Sequence, residues 1–154
     1  MAKFIYKMQS LLNIKEKLED QAKTAFGLAK AALNEEETKL AELLARKENY
    51  VEQKRQEMSS AINVHELTQL EHAIKSMEYR IAEQILVVRQ AEKNVQLAQA
   101  KLENAMKERK IQEKLKENAF EEFLKEMEAA DQQEINELVT FRFGKAKERD
   151  ENNG

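Results

Sequence analysis

No cysteine, proline or tryptophan occurs in this 154-residue sequence, and glycine occurs only three times. Without cysteine there is no thiolate nucleophile, and a cytoplasmic setting is compatible with that absence. Without proline, and with so little glycine, the chain lacks the residues that ordinarily make tight turns. A fold with many chain reversals is therefore excluded. No long apolar run occurs either. The strongest, ILVV at Ile85–Val88, is far short of the ~20 residues a membrane span needs. The opening stretch, MAKFIYKMQSLL, carries no secretory h-region or cleavage site. The expectation is a soluble protein with, at most, peripheral membrane association. A basic excess is also missing. The net charge is −3, which disfavours a nucleic-acid partner, because phosphate binding needs surplus positive charge.

What is present is helix-forming material: Ala, Glu, Lys, Leu, Gln and Arg dominate. The hydrophobic fraction of 42% and charged fraction of 36% fit long helices or a coiled coil better than disorder. Leu67, Leu70, Ile74, Met77 and Ile81 alternate at spacings of three and four. The same phase continues through Val88, Ala91, Val95, Ala98, Leu102 and Ala105, with Gln84 as a polar exception. That is a sustained heptad seam. The first half is looser: Leu11, Ile14, Leu18, Ala22, Ala25, Ala29 and Ala32, then Leu40, Leu43, Tyr50 and Val51. Gly27 lies within it and should cost ~1 kcal/mol relative to alanine; close backbone approach is one reason to tolerate it.

The one break is SSAINVHE, Ser59–Glu66. Asn63 is placed to cap a second helix, and Glu66 to complete a capping box. A short connection favours antiparallel neighbours. The spacing predicts an all-α, two-helix antiparallel hairpin: helix one over about 4–59, a turn at about 59–63 and helix two over about 64–143. Gly144 fits the residue after a helix end, leaving 145–154 as a disordered tail. In such a hairpin facing residue numbers sum to about 122, which sets Ala25 near position 97 and Ala29 near 93. Small residues then meet small ones, as close approach requires; the alternative is a weakly packed stretch. Pairs such as Glu19/Lys23, Glu35/Lys39, Glu42/Arg46, Glu71/Lys75, Glu103/Lys107 and Glu121/Lys125 lie four apart and support a solvated face.

In that register helix one runs out opposite about residue 118. Past that point helix two still carries Phe120, Phe123, Leu124, Met127, Ile135, Leu138, Val139, Phe141 and Phe143. Apolar residues on an unpaired helix mark a partner surface, unless the segment frays or two chains pair there. The cluster Lys107, Arg109, Lys110, Lys114 and Lys116 is interleaved with Glu108, Glu113 and Glu117. It reads as a solvated face or as an ionic docking surface for an acidic protein.

Catalytic chemistry is not visible. His65 and His72 flank a faintly zinc-like stretch, but a zinc-binding helix needs its two histidines four apart. The glycines are isolated, so no phosphate loop exists. Carboxylates are plentiful, yet an extended hairpin offers no water-excluded cleft to tune one. The expectation is no enzyme, no cofactor, no metal and no small-molecule substrate.

Two stretches carry a family resemblance. FIYKMQSLLNIKEKLEDQAKTAFGLAKAALNEEETKLAEL and KERKIQEKLKENAFEEFLKEMEAADQQEINELVTFRF resemble the two ends of FliJ-type flagellar export proteins. The shared features are an aromatic and a Leu-Leu pair before a Glu-rich alanine helix, a basic KERK, an EKLKE and a late Arg-Phe. The resemblance implies a cytosolic antiparallel coiled coil at the cytoplasmic face of the flagellar basal body. It would be a monomer by itself and act as a stalk. Implied partners are the hexameric export ATPase, the export-gate membrane protein and export chaperones. Carried onto this chain, Phe4, Leu11, Leu12, Lys107, Arg109, Lys110, Phe120, Phe123, Phe141 and Phe143 would face the ATPase. Leu43, Tyr50, Leu70, Ala73 and Met77 would face the gate, although several could be seam residues. The rival readings are the equivalent stalk of an injectisome and a self-associating structural coiled coil.

Overall fold

A computed structural model describes residues 2–61 and 63–152. Two α-helices account for nearly all of them, α1 over Gln9–Ser59 and α2 over Val64–Asn152, paired as an antiparallel hairpin. The break falls where the sequence placed it; Ile62 within it lies outside the described residues. Asn63 caps α2: its Oδ1 accepts from the backbone N–H of His65 at 3.1 Å and of Glu66 at 3.4 Å. The Glu66 side chain does not return the bond. It meets Glu57 instead, which pushes the Glu57 carboxyl above its ordinary range.

Contacts divide the chain into two compact units. One comprises residues 17–106, and the other 1–16 with 107–154.

In the first unit, the α2 seam holds as read from the spacing. Met77, Ile81, Val88 and Ala91 are buried, Met77 to 4% exposure, with Ile74, Val95, Ala98 and Leu102 half-buried between and beyond them. The α1 seam differs from the expectation. Its half-buried positions in this unit are Ala22, Phe26, Ala29, Leu33, Glu36, Leu40, Leu43, Lys47, Tyr50, Glu52, Lys54 and Glu57, after a buried Glu19. Leu18, Ala25, Ala32 and Val51 are exposed. The reason is phase. A seam opposite a strict heptad must itself stay on the heptad, and stepping back from Leu40 by sevens leads to Leu33 and Phe26. Neither apolar character nor small size at neighbouring positions overrides that constraint.

Gln84, the polar exception, fixes the pairing. Its Nε2 donates to the Glu36 carbonyl at 2.9 Å and to Glu36 Oε2 at 2.6 Å. This donor is the main reason the Glu36 carboxyl sits below its ordinary range. Two cross-helix ion pairs, Lys47–Glu78 and Lys54–Glu71, both at 3.5 Å, flank the seam.

The register brings Ala22 and Ala25 beside Asn94, Leu97 and Ala98, but Ala25 is exposed and the stretch is not closely packed. These residues line an open hollow of about 270 Å³. Gly27 is exposed, and a Cβ built on it would meet nothing within 4 Å. Close backbone approach is therefore not why glycine stands there.

Candidate functional site

The second unit joins the chain's beginning to the far part of α2. Helix one does not start at Phe4; residues 2–6 are non-helical, with a turn at 7–8. Aromatic and β-branched residues such as Phe4, Ile5 and Tyr6 are weaker helix formers. A non-helical residue can advance more than the ~1.5 Å of a helical one, which lets a non-helical strap reach further along α2 than a helix would. A turn bond from Gln9 N–H to the Tyr6 carbonyl (3.2 Å) and one from Leu12 N–H to Met8 (3.1 Å) join the strap to α1.

The strap carries Phe4 onto α2. Its ring meets Phe120 edge-on at 5.2 Å between centroids and Phe123 at 5.4 Å. Phe120 and Phe123 are 6.5 Å apart and nearly parallel. Phe4 thus contacts α2 beyond residue 118, and Phe123 is half-buried, although Phe120 stays 42% exposed. Behind the cluster Leu12 is buried to 3% exposure, while Leu11 is half-buried and Ile14 exposed. Heptad phase again decides which leucine faces inward.

Polar bonds hold the strap end in register. Lys116 Nζ donates to Gln9 Oε1 at 2.7 Å, and Lys15 Nζ pairs with Glu108 at 2.8 Å. Neither Gln9 nor Lys15 stood out in the sequence; the available signal was their complementarity to Lys116 and Glu108 at the hairpin register. Phe4, Leu12, Glu16, Glu113, Lys116 and Phe120 border a shallow hollow of about 440 Å³. Of the basic cluster, Lys107, Lys110 and Lys114 are exposed and Lys116 is committed to Gln9. Arg109 is half-buried and pairs with Glu113 at 2.8 Å.

Past Met127 every described residue of α2 is exposed. Ile135, Leu138, Val139, Phe141 and Phe143 are the large apolar ones, Phe143 at 77% exposure. The expected end at Gly144 does not occur. The helix passes through it to Asn152, with no positive φ. Lys145, Ala146, Lys147, Glu148 and Arg149 are helix formers, and one glycine costs only ~1 kcal/mol. Residues 153–154 of the expected tail lie outside the described residues.

Of the residues assigned to the ATPase, then, Phe4, Phe120 and Phe123 form one cluster. Leu12 serves the core, and Phe141 and Phe143 stand free on helix. Of those assigned to the gate, Tyr50, Leu70 and Ala73 line a hollow of about 540 Å³ with Glu57 and Glu66. Leu43 is half-buried in the seam and Met77 is core.

These features define a two-helix hairpin with an aromatic terminal cluster and an uncovered apolar extension of α2. The flagellar FliJ protein family matches residues 4–148, and the chain belongs to the FliJ family. Its fold is similar to that of CT670 from Chlamydia trachomatis, a proposed YscO homologue. The match has a TM-score of 0.59 and 20% identity, and covers 95% of this chain and 99% of that one. No curated protein matches. Among the described residues, no helix is long and apolar enough to cross a membrane.

Proposed function

We propose that the chain is a non-enzymatic stalk-like component of flagellar type III export that binds the hexameric export ATPase through its terminal unit. What supports this is family membership, together with phenylalanines on a stretch of α2 whose described residues are all exposed. Phe141 and Phe143 are the contact residues of choice, and the exposed Lys107 and Lys110, roughly 50 Å back along α2, offer a separate ionic contact. The Phe4–Phe120–Phe123 cluster lies at the root of the exposed segment, and Leu11, Leu12 and Arg109 contribute by packing. The export gate is the proposed partner of the hollow near the turn, through Tyr50, Leu70 and Ala73. Leu43 and Met77 hold its walls. Export chaperones would be carried as cargo escorts, at the cytoplasmic face of the basal body. The family match favours flagellar export over an injectisome.

The test is a pull-down with the export ATPase. Phe141→Ala with Phe143→Ala should lose most ATPase binding while helix content by circular dichroism stays within error, since neither ring packs on the hairpin. Undiminished binding by the double variant would remove the extension of α2 as the docking element.

A further inference from the structure

The seam that the terminal unit buries on α2 runs through Lys116, Ala119 and Phe123. Its last half-buried residue is Met127; the same spacing from Phe123 next meets Glu126, Ala130, Gln133 and Glu137, none of them a large apolar residue. A second stripe begins in a different phase. Glu128, Asp131, Ile135, Leu138, Arg142 and Lys145 alternate at spacings of three and four, on continuous helix, all exposed. Residues so spaced share one face. The order along it is acid, acid, apolar, apolar, base, base.

That order is complementary to its own reverse. Laid antiparallel on a second copy, Ile135 faces Leu138 of the other chain, Asp131 faces its Arg142 and Glu128 faces its Lys145. A two-fold axis makes each contact twice. Laid parallel, acid meets acid and base meets base, so like-charge repulsion selects the antiparallel arrangement. Among the described residues, no intrachain salt bridge uses these four charges. Lys145 is occupied only by the Phe141 ring, 5.0 Å from its Nζ.

We infer that this face of α2 is a self-pairing surface, on which two copies of the chain associate antiparallel through Ile135 and Leu138 between flanking Glu128–Lys145 and Asp131–Arg142 pairs. The inference does not rest on the ATPase reading. It gives the exposed extension an occupant when no other partner is present. A chain so paired has its extension covered, so an ATPase binding the same segment competes with the second copy.

Sedimentation equilibrium of the full chain over a concentration series tests it. The apparent mass should climb from one chain towards two. Raising salt from low to about 0.5 M should weaken association about tenfold, because the flanking ion pairs are exposed and screened. Glu128→Lys with Asp131→Lys makes the stripe basic throughout; Arg142→Glu with Lys145→Glu makes it acidic throughout. Each double variant alone should stay monomeric. Their equimolar mixture should restore association at wild-type strength or better, which also shows that both variants are folded. A wild-type chain that remains monomeric throughout, variants that associate as well as wild type, or a mixture that stays monomeric would each overturn the inference.

Discussion

Single residues in this hairpin are governed by heptad phase more than by their own polarity. Ile14 and Leu18 are apolar and exposed, whereas Glu19 is buried to 4% exposure beside Lys23, whose Nζ lies 3.2 Å from its carboxylate. Gly27 shows the same logic from the other side. It sits on ordinary helical backbone, exposed, with open space where a Cβ would be. Glycine there loses more backbone freedom on folding than alanine and returns no packing. Gly27→Ala should therefore stabilise the chain by about 0.5–1 kcal/mol, since the native conformation suits alanine without strain. Urea unfolding followed by circular dichroism would register this as a higher midpoint at unchanged slope. A lower midpoint would mean that something must approach Gly27 closely after all.

Between elements, the turn concentrates like charge. Glu57, near the end of α1, meets Glu66 in the first turn of α2, and the hydrogen bond between the two carboxyls and their repulsion raise the Glu57 value above the ordinary 4.5. Nearby charges are already engaged, Lys54 with Glu71 and Arg55 with Glu52. A carboxyl whose value is raised by folding holds its proton more tightly in the folded state. Its contribution is thus fully present below the unfolded value and is lost as pH rises through the folded one. At neutral pH the pair repels. Glu57→Gln should accordingly raise the melting temperature at pH 7, and the advantage should vanish below the ordinary value of 4.5. A thermal melt at each pH checks both halves. An advantage that persists in acid would point to packing instead.

The same comparison of elements shows what could be read in advance. The break, the Asn63 cap and the whole α2 seam were legible, because one strict heptad of large residues admits a single phase. The α1 phase was not. Leu11, Ile14 and Leu18 offer a competing stripe, and only pairing with α2 chooses Leu12, Glu19 and Phe26. Phe141 and Phe143 were legible as exposed. The contact of Phe4 with Phe120 and Phe123 was not, because it depends on the strap from Ala2 to Tyr6 being non-helical. Gly144 misled for a plain energetic reason: one glycine among strong helix formers does not end a helix.

Across the whole molecule, apolar cover is unevenly spread. Met77, Ile81, Val88 and Ala91 make the buried core of one unit, Leu12 that of the other, and among the described residues no side chain is below 2% exposure. Every residue of α2 from 128 to 152 is exposed. Helices without tertiary packing are marginal in water, so this segment should open locally at small cost while the core opens only with the fold. In dilute solution, amide hydrogen exchange within the helices should therefore be fastest over 128–152 and slowest around Met77–Ala91. Concentrating the chain to where copies pair should slow exchange over 131–142 and leave the core unchanged. Adding the ATPase should slow exchange around Phe141 and Phe143. If 131–142 is already as protected as the core in the dilute chain, the segment is covered within a single molecule, and the surface on which both kinds of association depend is not available.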